Sequence, residues 1–152
     1  MKKYEYVSVH IGKLVGATSE EHRPDKWVSA SFGRTHLIET GNLSGIPLLV
    51  FHGGNATTAY NLFFCDFLMN DFHIYAVDTI GHPGKSDEVS LSAWSYDYGK
   101  WASEVISAIG YESISCFGGS ANMLHKAIKN SQMKIIEGYY HGEMSMTMQK
   151  NM

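Results

Sequence analysis

Cysteine is scarce: Cys65 and Cys116 are the only two. A pair so widely spaced builds neither a disulfide framework nor a four-ligand zinc site. Each lies in an apolar run, where a buried free thiol is the ordinary outcome. A reducing, cytoplasmic setting is expected. Charge of one sign is lacking as well, with 12 Lys+Arg against 15 Asp+Glu and a formal net charge of -3. Without a basic run there is no footprint for nucleic acid or for an anionic membrane surface. No segment reaches the roughly 18 apolar residues of a membrane helix, and the start, Met1 to His10, has two lysines without an apolar stretch of signal-peptide length. Repeats and low-complexity tracts are absent too.

What is present is a globular composition: 152 residues, 44% hydrophobic and 12% aromatic. One domain of this size buries roughly two-thirds of its extended surface. Tyr4 to Ile11 alternates apolar and polar residues as a half-buried strand does, and a polar loop follows to Asp25. Residues 1–24 are therefore expected to form an N-terminal arm with a strand to add to the sheet. Trp27 to Phe32 and Thr35 to Glu39, pivoting on Gly33-Arg34, predict a hairpin.

From Gly45 the rhythm changes. Ile46 to His52 is a continuous apolar run, expected of a strand buried on both faces of a parallel sheet. Tyr60, Phe63, Phe64, Phe67 and Leu68 recur at helical spacing and predict a helix ending near Asn70. His73 to Asp78 is a second buried strand. Trp94, Tyr98, Trp101, Val105, Ile106 and Ile109 predict another helix, closed by Gly110, where a left-handed residue is cheap. Ser113 to Phe117 is the third strand. Strands alternating with helices argue for a parallel sheet covered by helices, because parallel neighbours need crossover connections. Met123 to Asn130 reads as a helix, Met133 to Glu137 as a strand, and Gly138 to Met152 as a polar, methionine-bearing tail.

Three loops carry residues suited to chemistry. Gly118-Gly-Ser-Ala-Asn122 places Ser120 on a strand-to-helix turn, where small flanking residues let a nucleophile elbow form, although Asn122 stands where a second glycine is usual. A plain turn serine fits the same five residues. His52-Gly-Gly54 ends the first buried strand, where glycines let amides point into a cavity above the sheet. His52 in such a place is more often a structural hydrogen-bonder than a catalyst. Asp78-Thr-Ile-Gly-His-Pro-Gly-Lys-Ser86 ends the second strand. It is not a phosphate-cradling loop, since that motif needs a glycine where Thr79 stands.

Taken in order, Pro47-Leu-Leu-Val-Phe-His-Gly-Gly54, Ile74-Tyr-Ala-Val-Asp-Thr-Ile-Gly-His-Pro-Gly-Lys-Ser86 and Cys116-Phe-Gly-Gly-Ser120 resemble the N-terminal half of an α/β-hydrolase of the carboxylesterase type. The resemblance runs from Asp25 to Asn122, with the hairpin matching the first two strands of the family. It resumes at Lys134-Ile-Ile-Glu-Gly-Tyr-Tyr-His-Gly-Glu-Met-Ser145, which is similar to the last strand and histidine loop of the family. It implies a three-layer α/β/α fold with a mostly parallel sheet over residues 25–152. It also implies a small carboxylic ester as substrate, no cofactor and no metal. Ser120 becomes the nucleophile, His141 the general base, and the backbone amides of Gly54 and Ala121 the oxyanion hole.

The sequence departs from the family between Ser120 and His141, where the lid, further strands and the triad acid would lie. Glu137 and Glu143 are the acids beside His141, and neither stands at the acid position of the family. The middle reads as removed, with the join near Asn122 to Lys126. The right-handed crossover rule would dock Met133 to Glu137 beside the serine strand and bring His141 to the carboxyl edge of the sheet. Two functions follow: an esterase acting through Ser120 and His141, or a non-catalytic hydrolase remnant serving as a binding module. A shortened core would expose a sheet edge through which copies self-associate. A redox or metal protein built on Cys65, Cys116 and the histidines lacks ligand spacing.

Overall fold

A computed structural model describes residues 25–54, 56–92 and 95–118. The chain enters through a hairpin of β1 (Lys26–Ala30) and β2 (Gly33–Gly41), and then runs into β3 (Ile46–Phe51). Helix α1 (Thr58–Phe64) follows, capped by the Thr57 hydroxyl, which accepts from the Tyr60 N–H at 3.3 Å. A 3-10 turn over Asp66–Leu68 leads into β4 (Phe72–Val77). Helix α2 (Asp97–Ala108) then crosses back to β5 (Ser115–Gly118).

The strand order is β1-β2-β4-β3-β5, antiparallel through the hairpin and from β2 to β4, parallel from β4 through β3 to β5. Successive side chains of a strand point to opposite faces, and the two faces carry separate cores. Leu49, Phe51, Tyr75 and Val77 face α2, where Trp101, Ala102 and Val105 are completely buried. Leu48, Val50, Ile74 and Ala76 face α1 with Leu62, Cys65 and Leu68. This is the expected α/β/α sandwich. The Trp101 indole N–H donates to the Thr35 hydroxyl at 2.8 Å, pinning α2 to β2.

Several local expectations are corrected. The hairpin turns on Ser31-Phe32; Gly33, at φ 132°, is already paired with Ala30 as the first residue of β2. Helix α1 does not bury the aromatic stripe. Its inward face is Thr58 and Leu62, continued by Cys65 and Leu68, while Tyr60 and Phe63 are exposed and pack edge-on against Phe64. Strand β5 is an edge among the described residues, with Ser115 and Cys116 exposed, so Cys116 is not a buried thiol. Helix α2 and Gly110, at φ 96°, match expectation. Among the described residues no helix is long and apolar enough to cross a membrane. The arm over 1–24, Trp94, and the helix, strand and tail expected after Asn122 lie outside the described residues.

Candidate active site

The connection after β3 leaves toward the α1 face, and the one after β4 toward the α2 face. Adjacent parallel strands whose connections part in this way open a crevice at their carboxyl ends, where ligands of α/β sheets bind. Three segments meet there: His52 to Gly54 after β3, Asp78 to Ser86 after β4, and the end of β5 at Gly118.

His52 is buried and fully used by the backbone. The Thr79 N–H donates to its Nε2 at 3.1 Å, and Nδ1 lies 2.9 Å from the Gly53 carbonyl. An amide can only donate, so Nε2 is the bare nitrogen and Nδ1 carries the proton that Gly53 accepts. The ring is therefore held neutral. It is a structural hydrogen-bonder, as expected, and it ties the β3 loop to the β4 loop. The Gly53 carbonyl accepts a second hydrogen bond from the Ala56 N–H at 3.0 Å. The peptide is trans, so its N–H points opposite to its C=O. Two donors on the Gly53 oxygen thus fix the direction of the Gly54 N–H, and Gly54 is exposed.

His82 closes one side. Its Cε1 lies 3.8 Å from where a Cβ on Gly54 would sit. Its Nε2 lies 3.4 Å from the Tyr98 hydroxyl, and its Nδ1 is buried without a partner among the described residues. Burial pushes its pKa below the usual histidine value.

The β4 loop is organised around a buried carboxylate. Asp78 Oδ2 accepts from His36 Nδ1 and from the Lys85 N–H, both at 2.8 Å. Gly84 wraps so closely that a Cβ there would lie 2.6 Å from the Asp78 Cγ, which makes glycine mandatory. Burial alone would raise the Asp78 pKa, but the hydrogen bonds outweigh it, His36 first, and the carboxyl stays below its ordinary value. His36, 2% exposed, faces a second carboxylate: Asp25 Oδ1 lies 3.0 Å from Nε2, an ion-pair contact without hydrogen-bond geometry, and Lys85 Nζ pairs with the other Asp25 oxygen. Burial acts to lower the His36 pKa and is outweighed by Asp78 and Asp25, so the pKa lies above the usual histidine value.

Of the residues expected to carry chemistry, Gly54 is placed at the carboxyl edge. Ser120, Ala121 and His141, with Glu137 and Glu143, lie outside the described residues. Neither Cys65 nor Cys116 forms a disulfide among the described residues, and there no group of three or more His, Cys, Asp or Glu side chains could hold a metal ion. The cluster of Asp25, His36 and Asp78 was not legible in the sequence. One trace of it is visible there: Asp78 is a carboxylate directly after the apolar end of a buried strand, Ile74 to Val77, a place that requires a partner.

No family model matches the chain. An uncharacterized carboxylesterase, nap, of Bacillus subtilis (strain 168) is 32% identical over 100 residues, which cover 65% of this chain and 33% of that protein. The crystal structure of carboxylesterase CesB (YbfK) from Bacillus subtilis superposes with a TM-score of 0.61 at 27% identity, over 78% of this chain and 40% of the other. A putative alpha/beta hydrolase from Nostoc sp PCC 7120 does so with a TM-score of 0.57 at 27% identity, over 68% of this chain and 37% of the other. The chain spans about a third of the length of the curated relatives it matches.

Proposed function

Because this chain carries an α/β-hydrolase core and is related to carboxylesterases, we propose that it is a serine hydrolase cleaving small carboxylic esters through an acyl-enzyme at Ser120. The observation that carries this reading is the Gly53–Gly54 peptide, its carbonyl held from behind by His52 and Ala56 and its N–H given no partner among the described residues. Such a preset donor at the carboxyl edge is what a developing oxyanion needs. Strand β5 ends at Gly118 on the same edge, two residues before Ser120.

In this reading the Ser120 hydroxyl adds to the ester carbonyl while His141 takes its proton. The oxyanion accepts from the Gly54 and Ala121 amides. Collapse expels the alcohol, protonated by His141, and leaves an acyl-serine that water, activated by the same histidine, releases as the acid. Without an acid to orient His141 the reaction is slow, since loss of that acid alone costs about 10⁴ in turnover in a serine protease. Glu137 and Glu143 are the acids within reach in sequence.

A fluorophosphonate probe followed by peptide mass spectrometry tests the reading, because it reports an activated serine without requiring turnover. The expected adduct is on Ser120 and disappears in Ser120→Ala and His141→Ala. A folded protein that takes up no probe overturns the esterase and favours the binding module.

A further inference from the structure

The charged cluster around His36 has no part in the chemistry above, yet it grips both ends of the loop that supports Gly54. The His36 backbone accepts from the Asp78 N–H at 3.0 Å, and its own N–H donates to the Ser86 hydroxyl at 2.9 Å. That hydroxyl donates to the Asp78 carbonyl at 2.6 Å. Between these anchors run Thr79, which holds His52, and His82, which packs on Gly54.

We propose that His36 is a positioning residue for the oxyanion loop, its imidazolium charge holding the Asp78–His82 turn and, through Thr79 and His52, the orientation of the Gly53–Gly54 peptide. The inference rests on the hydrolase reading only where it gives Gly54 an oxyanion role.

The argument is one of charge balance. Asp78 is 4% exposed, and among the described residues the one cation-forming side chain paired with it is His36, because the Lys85 ammonium is spent on Asp25. When the ring loses its proton it loses it from Nε2, since Nδ1–H is held by the buried carboxylate. Nε2 and Asp25 Oδ1 then face each other as two acceptors at 3.0 Å, and Asp78 remains as a buried carboxylate beside a neutral ring. That state is costly. Asp25 is partly exposed and can turn to solvent, carrying Lys85, whose own N–H is bonded to Asp78. The remaining neighbours of the ring do not compensate. Trp27 meets it edge-on at 5.1 Å, with Arg34 stacked over Trp27 at 5.2 Å and paired to Asp87.

Proton–nitrogen NMR of the full chain across about pH 5 to 10 decides the matter without any ester being turned over. The His36 ring nitrogens and the Thr79 and Gly54 amides are expected to share one midpoint above the ordinary histidine value. Asp25→Asn is expected to move all three downward together by about one pH unit or more. His36→Asn, which keeps a donor for Asp78, is expected to abolish the amide transition. His82 titrates below its ordinary value and gives a separate midpoint. Amides that stay flat while His36 titrates, or that follow His82, overturn the proposal, as does a His36 that stays neutral throughout. If His36→Asn does not fold, the surface variant Asp25→Asn still decides. A shared midpoint in a chain that Ser120 labelling leaves untouched sinks the hydrolase reading alone; labelling with flat amides sinks the coupling alone.

Discussion

The two loops at the carboxyl edge are each held by a buried histidine, and the two histidines have opposite surroundings. His52 sits among backbone groups, accepts an N–H and donates to a carbonyl. His36 sits between two carboxylates, which favour its charged form. Residue type decides nothing here. The neighbours decide which form of the ring is favoured, and with it whether a loop is tied by backbone dipoles or by an ion cluster.

The largest effect expected on this comparison comes from breaking the charged side. Asp78→Ala leaves the His36 charge buried and the Lys85 N–H orphaned, and should cost about 3–5 kcal/mol in denaturant unfolding. Breaking the neutral side should cost less. His52→Phe keeps an aromatic ring but strands the Thr79 N–H and one acceptor position on the Gly53 carbonyl, a loss of about 1–3 kcal/mol, and it should slow probe labelling of Ser120 more than it lowers stability.

The pH profile of melting then separates the two. The folded His36 pKa is raised, so its contribution is complete below the ordinary value near 6.5 and fades as pH rises through the folded one. The folded Asp78 and Asp25 pKa values are lowered from 3.8, so theirs is complete above that value and fades as pH falls through the folded ones. A melting temperature that peaks between these windows is expected, with the alkaline decline removed in His36→Asn. The smallest effect is expected from Gly54→Ala. Its Cβ would meet His82 at an ordinary 3.8 Å, so stability should change by less than about 1 kcal/mol, and any drop in labelling then reports on the site rather than on the fold.

How much of this could be read from the chain depends on the range of the forces involved. Strands β3 and β4 were legible because burial on both faces leaves a continuous apolar run, and α2 because its stripe and Gly110 are local signals. The aromatic residues of α1 misled because Tyr60, Phe63 and Phe64 satisfy one another on the outside, while modest Leu62 and Cys65 take the inside. The hairpin slipped because Gly33 marks a turn by its type but serves as a strand residue with a positive φ. The His36 cluster was hidden by distance, its bond to Asp78 joining residues 42 positions apart. Gly54 was singled out from its motif as an expectation; what orients its peptide, a tautomer set by Thr79, is a tertiary fact.

The strand order has a meaning in time as well as in space. The β1–β2 hairpin is synthesised before β3 and β4, but the inner neighbour of β2 is β4, and β3 must wait between them in sequence before it can be flanked in the sheet. At roughly 5–20 residues per second, the ribosome leaves the inner edge of β2 open for a few seconds. That edge carries Leu37 and Ile38, so the nascent chain passes through a stage in which its future centre is a sticky border, and the emergence of β4 closes it.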